Sequence, residues 1–148
     1  MSGTSGGYSV PHETGGDVLP TNFDILPTAQ NTWVDTGLSV TLPSAGRYRV
    51  EAEARASVAG GGFVTVRLFN VTAAQVIPQT QRLVDQLTGA TPTQGDNNTA
   101  PCTTWVTAAG PTVIRLEAMR GDPNSDATQA QIVTGQAGQT WMGWERIG

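Results

Sequence analysis

Few side chains in this sequence combine the type and the spacing that chemistry requires. The only histidine, His12, stands between Pro11 and Glu13 in a stretch rich in glycine and serine. A general base must be held within about 3 Å of the proton it takes, and such a stretch offers no frame for that. Glu51 and Glu53 share one face of a two-residue period and are the best carboxylate pair for acid–base work. Arg49 and Arg55 flank them on the same face, however, and predict ordinary ion pairs. Asp122, Asn124 and Asp126 imitate the start of a calcium loop, but Ala127 stands where the loop needs glycine and Val133 where it needs a bidentate glutamate. A turn held by Asp and Asn side chains is the expectation there. Gly60–Gly62 lacks the lysine and the following helix of a phosphate-binding loop. The lone Cys102 reads as a small buried hydrophobe. These residues together predict a protein that is not an enzyme, with no catalytic residues, no metal and no cofactor.

Four tryptophans remain, Trp33, Trp105, Trp141 and Trp144. Exposed on a β sandwich they would stack on sugar rings; covered, they would fill the core or a subunit contact. Trp141 and Trp144 have opposite parity in a strand and point to opposite faces unless a bulge at Gly143 intervenes. One is expected in the core and the other at a subunit interface.

Such side chains need elements to hold them, and the clearest is Gly46 to Val58. Tyr48, Val50, Ala52, Ala54, Ala56 and Val58 alternate with Arg47, Arg49, Glu51, Glu53, Arg55 and Ser57, the pattern of a strand with one dry and one charged face. On a helix the same residues would scatter around the whole circumference. The alanines pull the other way, since alanine favours helix over strand. Leu38–Leu42 alternates likewise until Pro43 and Gly46 turn the chain. Phe63–Asn70 follows the glycine run and predicts a hairpin with the first strand. Its second face carries Phe63 and Phe69, which suggests that both sides are covered, as where a sheet meets a neighbouring subunit. Thr103–Thr107 and Thr112–Met119 predict a second hairpin, Gly89–Pro101 a long polar loop, and Gln131–Thr134 and Thr140–Ile147 the last strands. Eight to ten short strands without a convincing helix indicate an all-β jelly roll or sandwich.

Composition agrees. The chain has 148 residues, enough for one domain that needs no disulfides, and only 14% are charged. All basic residues are dispersed arginines and the net charge is -4, which argues against nucleic acid as a partner. No apolar run approaches the ~20 residues that cross a bilayer, and the first thirty residues show no secretion signal. Residues 1–22 are poor in apolar side chains and read as an extended arm, with 23–148 as the sandwich domain. Tyr8, Val10, Pro11, Val18, Leu19 and Phe23 are spaced along the arm as anchors for docking on a partner.

The run TWVDTGLSVTLPSAGRYRVEAEA, from Thr32 to Ala54, resembles the opening of the TNF/C1q-like jelly-roll modules of bacteriophage structural proteins, where a strand ending in L-P precedes an A-G-x-Y turn. The ending WMGWERIG, from Trp141 to Gly148, is similar to their closing strand. The resemblance implies a compact homotrimer with the first and last strands close together, and the residues expected at its subunit interface are Phe63, Phe69, Trp141 and Trp144. It further implies a virion structural protein: a capsid decoration or cement protein on the outer surface of the phage head, held to the major capsid protein or other virion proteins by the arm. The alternative is a tail-associated receptor-binding domain that takes a host glycan. Tail fibres usually carry collagen-like or coiled-coil shafts, and this sequence has neither G-X-Y periodicity nor heptads, which favours the head.

Overall fold

In the computed structural model, which describes residues 12–89 and 91–148, the alternation of Gly46–Val58 becomes a strand of 14 residues, Gly46–Ala59. Numbered in chain order, the strands are β1 Thr14–Val18, β2 Phe23–Asp24, β3 Val34–Leu42, β4 Gly46–Ala59, β5 Gly62–Asn70, β6 Gln75–Val76, β7 Arg82–Leu87, β8 Gly95–Ala108, β9 Thr112–Gly121, β10 Gln129–Ile132 and β11 Trp141–Arg146. They form two antiparallel sheets. In the first, β4 is central: β8 lies along its whole length on one side, and β11 and then β1, or β10 and then β2, lie on the other. In the second, β9 lies between β3 and β5, with β6 and β7 on the far side of β5.

One core fills the space between the sheets. The inward residues of β4 are between 0% and 4% exposed, and they join Leu38, Leu42, Leu68, Ile114 and Leu116 of the second sheet in a single cluster. The alanines that argued for helix have a packing reason: three small side chains in a row, Ala52, Ala54 and Ala56, accommodate the large branched residues opposite at interior density. Tyr48 is fully buried, and its hydroxyl donates to the Ser44 carbonyl at 2.8 Å, so no polar group is left stranded. The result is the expected all-β, jelly-roll-like sandwich.

Three expectations are corrected. Neither predicted hairpin exists, because β4 and β8 belong to the first sheet while β5 and β9 belong to the second. Gly60, Gly61 and Gly62, all at positive φ, carry the chain over the sandwich edge instead, and a Cβ at Gly61 would collide with the Asp126 carboxylate. The polar loop expected over Gly89–Pro101 gives way at Gly95 to β8, whose Pro101 is tolerated because β8 is an edge strand bonded only to β4. The expected arm over 1–22 joins the sandwich at Thr14. β1 pairs with β11 from Thr14↔Glu145 to Val18↔Trp141, Leu19 is buried in the core, and β2 places Phe23 against it. Leu19 and Phe23 are therefore anchors of the chain's own fold. Tyr8, Val10 and Pro11 lie outside the described residues.

A polar seam joins the sheets where β7 meets β8. Asp85 is 2% exposed; Asn98 Nδ2 donates to its Oδ1 at 2.8 Å, and its Oδ2 is buried without a hydrogen-bond partner. Burial pushes the Asp85 carboxyl above its ordinary value; the Asn98 bond opposes this and the nearby Asp96 charge adds to it. A carboxyl raised in the folded state costs stability while ionised. That cost fades as pH falls through the raised value, and it vanishes below the ordinary value of 3.8, where both states are protonated. Asp85→Asn keeps an oxygen for Asn98 and removes the charge. It is expected to raise Tm at pH 7 by about 2–4 °C, the effect of ~1 kcal/mol on a domain this size, with the gain disappearing in melts near pH 3. Leu19→Ala is expected to cost about 2–5 kcal/mol in urea unfolding, which a free arm residue would not.

Candidate functional site: the two outer sheet faces

The residues with chemical potential are scattered. His12 is mostly exposed, its Nε2 3.4 Å from Glu145 Oε2. Glu51 pairs with Arg49 at 3.5 Å as expected, but Arg55 does not pair with Glu53: it donates to Asn97 Oδ1 and to the Gly138 carbonyl. Glu53 has no ion pair or side-chain hydrogen bond among the described residues. The Asp122 carboxylate accepts the backbone N–H groups of Asp126 and Ala127 and faces Arg120 at 3.8 Å, which is a self-contained turn. Among the described residues no group of three or more His, Cys, Asp or Glu is placed to hold a metal. The buried Cys102 donates weakly to the Thr80 carbonyl at 3.5 Å, and burial pushes its thiol up, away from the reactive thiolate.

The outer faces of the two sheets are better organised. On the second sheet, parity sends Phe63, Thr65, Arg67 and Phe69 of β5 outward beside Arg115, Glu117 and Met119 of β9. Glu117 is 3% exposed although it lies on an outer face. Its Oε1 accepts from Arg67 at 2.8 Å and its Oε2 from Arg115 at 2.6 Å. Aromatic rings cover the two guanidiniums: Arg67 stands 4.1 Å from the Trp33 ring centroid, and Arg115 stands 4.8 Å from that of Phe69. Phe63 lies flat over Gly121, where a Cβ would meet its ring at once. Leu83 and Val76 extend the patch, 54% and 42% exposed. This face is an aromatic layer over a desolvated Arg–Glu–Arg triad. Phe63 and Phe69 of the expected second face are in it, joined by Trp33, one of the four tryptophans of the sequence, which immediately precedes β3; Glu117 of β9, which completes it, carries no signal of its own in the sequence.

On the first sheet the outer face is charged and flanked by two indoles. Trp105 stands opposite Arg49, and Arg49 opposite Glu145; Trp141 stands opposite Glu53 on one side and Val18 on the other. Arg49 is 3.5 Å from both Glu51 and Glu145. Trp144, expected at a subunit interface, instead points inward from β11 and meets Tyr48 edge to face, ring centroids 5.4 Å apart at 80°. Gly15 of β1 makes room for it, since a Cβ there would stand 2.6 Å from the indole. Trp141 and Trp144 thus do point to opposite faces.

No protein-family model matches the sequence, and no curated protein matches it. Among solved structures, the chain is similar to infectious bursal disease virus VP2 in its subviral particle: TM-score 0.56, 13% identity, covering 93% of this chain and 33% of that one. It is similar in the same way to the Gx strain of that virus, with TM-score 0.56, 12% identity, and coverage of 92% and 31%. The chain spans about a third of the length of these proteins. At such identities the likeness is one of fold: a β sandwich of the kind a viral capsid protein uses.

Proposed function

We propose that this chain is a non-catalytic virion structural protein, a homotrimeric capsid decoration or cement protein of the TNF/C1q-like kind that sits on the outer surface of a bacteriophage head and stabilises it. The observation that carries the reading is the outer face of β3, β9 and β5. A solitary sandwich leaves such a face to water, and water favours dispersed charge there over an aromatic layer with a buried carboxylate at its centre. The layer has the composition of a subunit contact, with Trp33, Phe63 and Phe69 prominent in it. The fold shared with VP2, which is described as forming a subviral particle, supports placement in a virion. The number three, the phage and the head come from the resemblance of Thr32–Ala54 and Trp141–Gly148 to phage modules.

The mechanism is mechanical. A trimer that contacts neighbouring shell subunits binds a surface present only in the assembled shell, so its binding free energy adds to the stability of that state. The anchors Tyr8, Val10 and Pro11, together with the outward Val18, are assigned to the major capsid protein or another virion protein.

Light scattering at micromolar concentration tests the trimer: the full chain is expected at three times its monomer mass, and Phe69→Asp or Phe63→Asp at monomer mass with the β-type circular dichroism kept. A folded monomeric wild type would remove the ground for the reading. For attachment, protein lacking residues 1–11 is expected to stay trimeric and to lose binding to phage heads stripped of the protein. Undiminished decoration by the truncated trimer would move docking onto the sandwich, and density at the tail instead of the head would replace decoration by receptor binding.

A further inference from the structure

The outer face of the first sheet carries a second feature, on the opposite side of the molecule from the aromatic triad. β1 and β11 frame an open cleft of about 410 Å³ whose wall is Trp141 and whose floor includes Gly16 and Gly143. The glycines shape it. A Cβ at Gly143 would stand 3.0 Å from Trp141 Cζ3, so the indole lies flat across that residue instead of standing off the sheet. A Cβ at Gly16 would stand 2.8 Å from the Met142 carbonyl, so the floor is bare backbone. Asp17 and Gln139 line the cleft and are exposed. Asp17 Oδ1 accepts the Val18 N–H at 2.8 Å, which fixes the carboxylate, and its Oδ2 accepts no hydrogen bond among the described residues. Glu53, the cross-strand neighbour of Trp141, has no ion pair or side-chain hydrogen bond among the described residues.

We propose that Trp141 and this cleft form a binding site for a neutral saccharide. A flat indole held against a sheet offers a rigid apolar platform to the C–H face of a sugar ring at little entropic cost. Free carboxylate and carboxamide oxygens at its margin accept hydrogen bonds from hydroxyl groups. The volume falls within the about 300–1,000 Å³ of ordinary small-ligand sites and suits one or two rings. Charge selects among ligands: Asp17 lines the cleft and Glu53 stands beside Trp141, and these two carboxylates disfavour anionic glycans, whereas Glu51 and Glu145 are occupied by Arg49. A quaternary ammonium would want several aromatic walls where this cleft has one. Trp105, 58% exposed on β8, lies about 16 Å from Trp141 by strand geometry and serves as a control outside the site.

The test uses the full chain with chitotriose, maltotriose and cellotriose as neutral probes, trigalacturonate as the anionic probe and tetramethylammonium as the cationic one. Binding is read from tryptophan fluorescence and from the indole N–H resonances. At least one neutral trisaccharide is expected to bind with Kd on the order of 1 mM or tighter, shifting the Trp141 resonance and leaving that of Trp105 unmoved. Trp141→Ala is expected to weaken binding at least tenfold with the melting temperature and oligomeric mass unchanged, and Glu53→Gln to weaken it severalfold. Should the alanine variant fold poorly, Glu53→Lys supplies the same information: its half-buried position on the outer face of β4 lets a long side chain reach solvent, and the change is expected to lower neutral binding while admitting trigalacturonate. No Trp141 shift with any neutral probe at 10-fold that concentration would overturn the proposal. So would binding that survives both Trp141→Ala and Glu53→Lys, a stronger response to tetramethylammonium, or loss of oligomeric mass in Trp141→Ala, which would make this face a contact between copies.

Discussion

The structure depends on the requirement that one long strand keep a dry face against a second sheet. β4 meets it with inward residues that are almost completely buried, and every other strand of the first sheet is placed by pairing with β4 or with a strand that does. Slipping β4 by one residue would turn Arg47, Arg49, Glu51, Glu53 and Arg55 into the core, so the register is strongly specified. The small side chains in the middle of the row set how near the second sheet comes. The charged outer side of the same strand supplies the groups on the saccharide face. Core and candidate site are thus the two sides of one alternation.

The two outer faces solve the exposure of aromatic residues differently. On the second sheet the rings cover arginines, and the arginines neutralise Glu117; breaking such a desolvated group leaves a charge without its partner, whereas the intact set leaves a flat, largely apolar surface. On the first sheet the rings lie beside open ion pairs, with Arg49 between Glu51 and Glu145 and Glu53 next to Trp141, and the surface stays wet and polar. One face is suited to a protein of similar make, the other to a small hydroxylated ligand. A single sandwich can carry both because each sheet buries only its inner side.

Much of this was legible in the sequence, and the failures share a cause. The alternation of Gly46–Val58 and of Phe63–Asn70 gave strands at nearly their observed bounds, because period two survives any tertiary arrangement. Partnering did not follow, since Gly60–Gly62 can close a hairpin or cross between sheets and nothing local distinguishes the two. β8 was hidden behind Gly95, Asp96, Asn97, Asn98 and Pro101, poor strand formers that β4 recruits by pairing along its full length. β1 was hidden because Gly15 and Gly16 read as part of an extended arm, while their role is to fit beneath Trp144 and beside Gly143. A sequence rule that matched glycine pairs with tryptophans two residues from a strand glycine could have found both β1 and the cleft.

The pairing of β1 with β11 also determines how the molecule responds to force. Glu13 accepts from Arg146 N–H at 2.9 Å and its carboxylate meets the Arg146 guanidinium, while the Gly148 carbonyl accepts from Arg47 N–H. Residues 13 and 148 therefore lie at one end of the same antiparallel ladder. A load drawn between them acts along the hydrogen bonds and opens the ladder one pair at a time, instead of shearing all five pairs of the register together. Tethered through both ends, the sandwich would yield early and peel from β1; pulled between one end and its aromatic face, it would carry tension across the core.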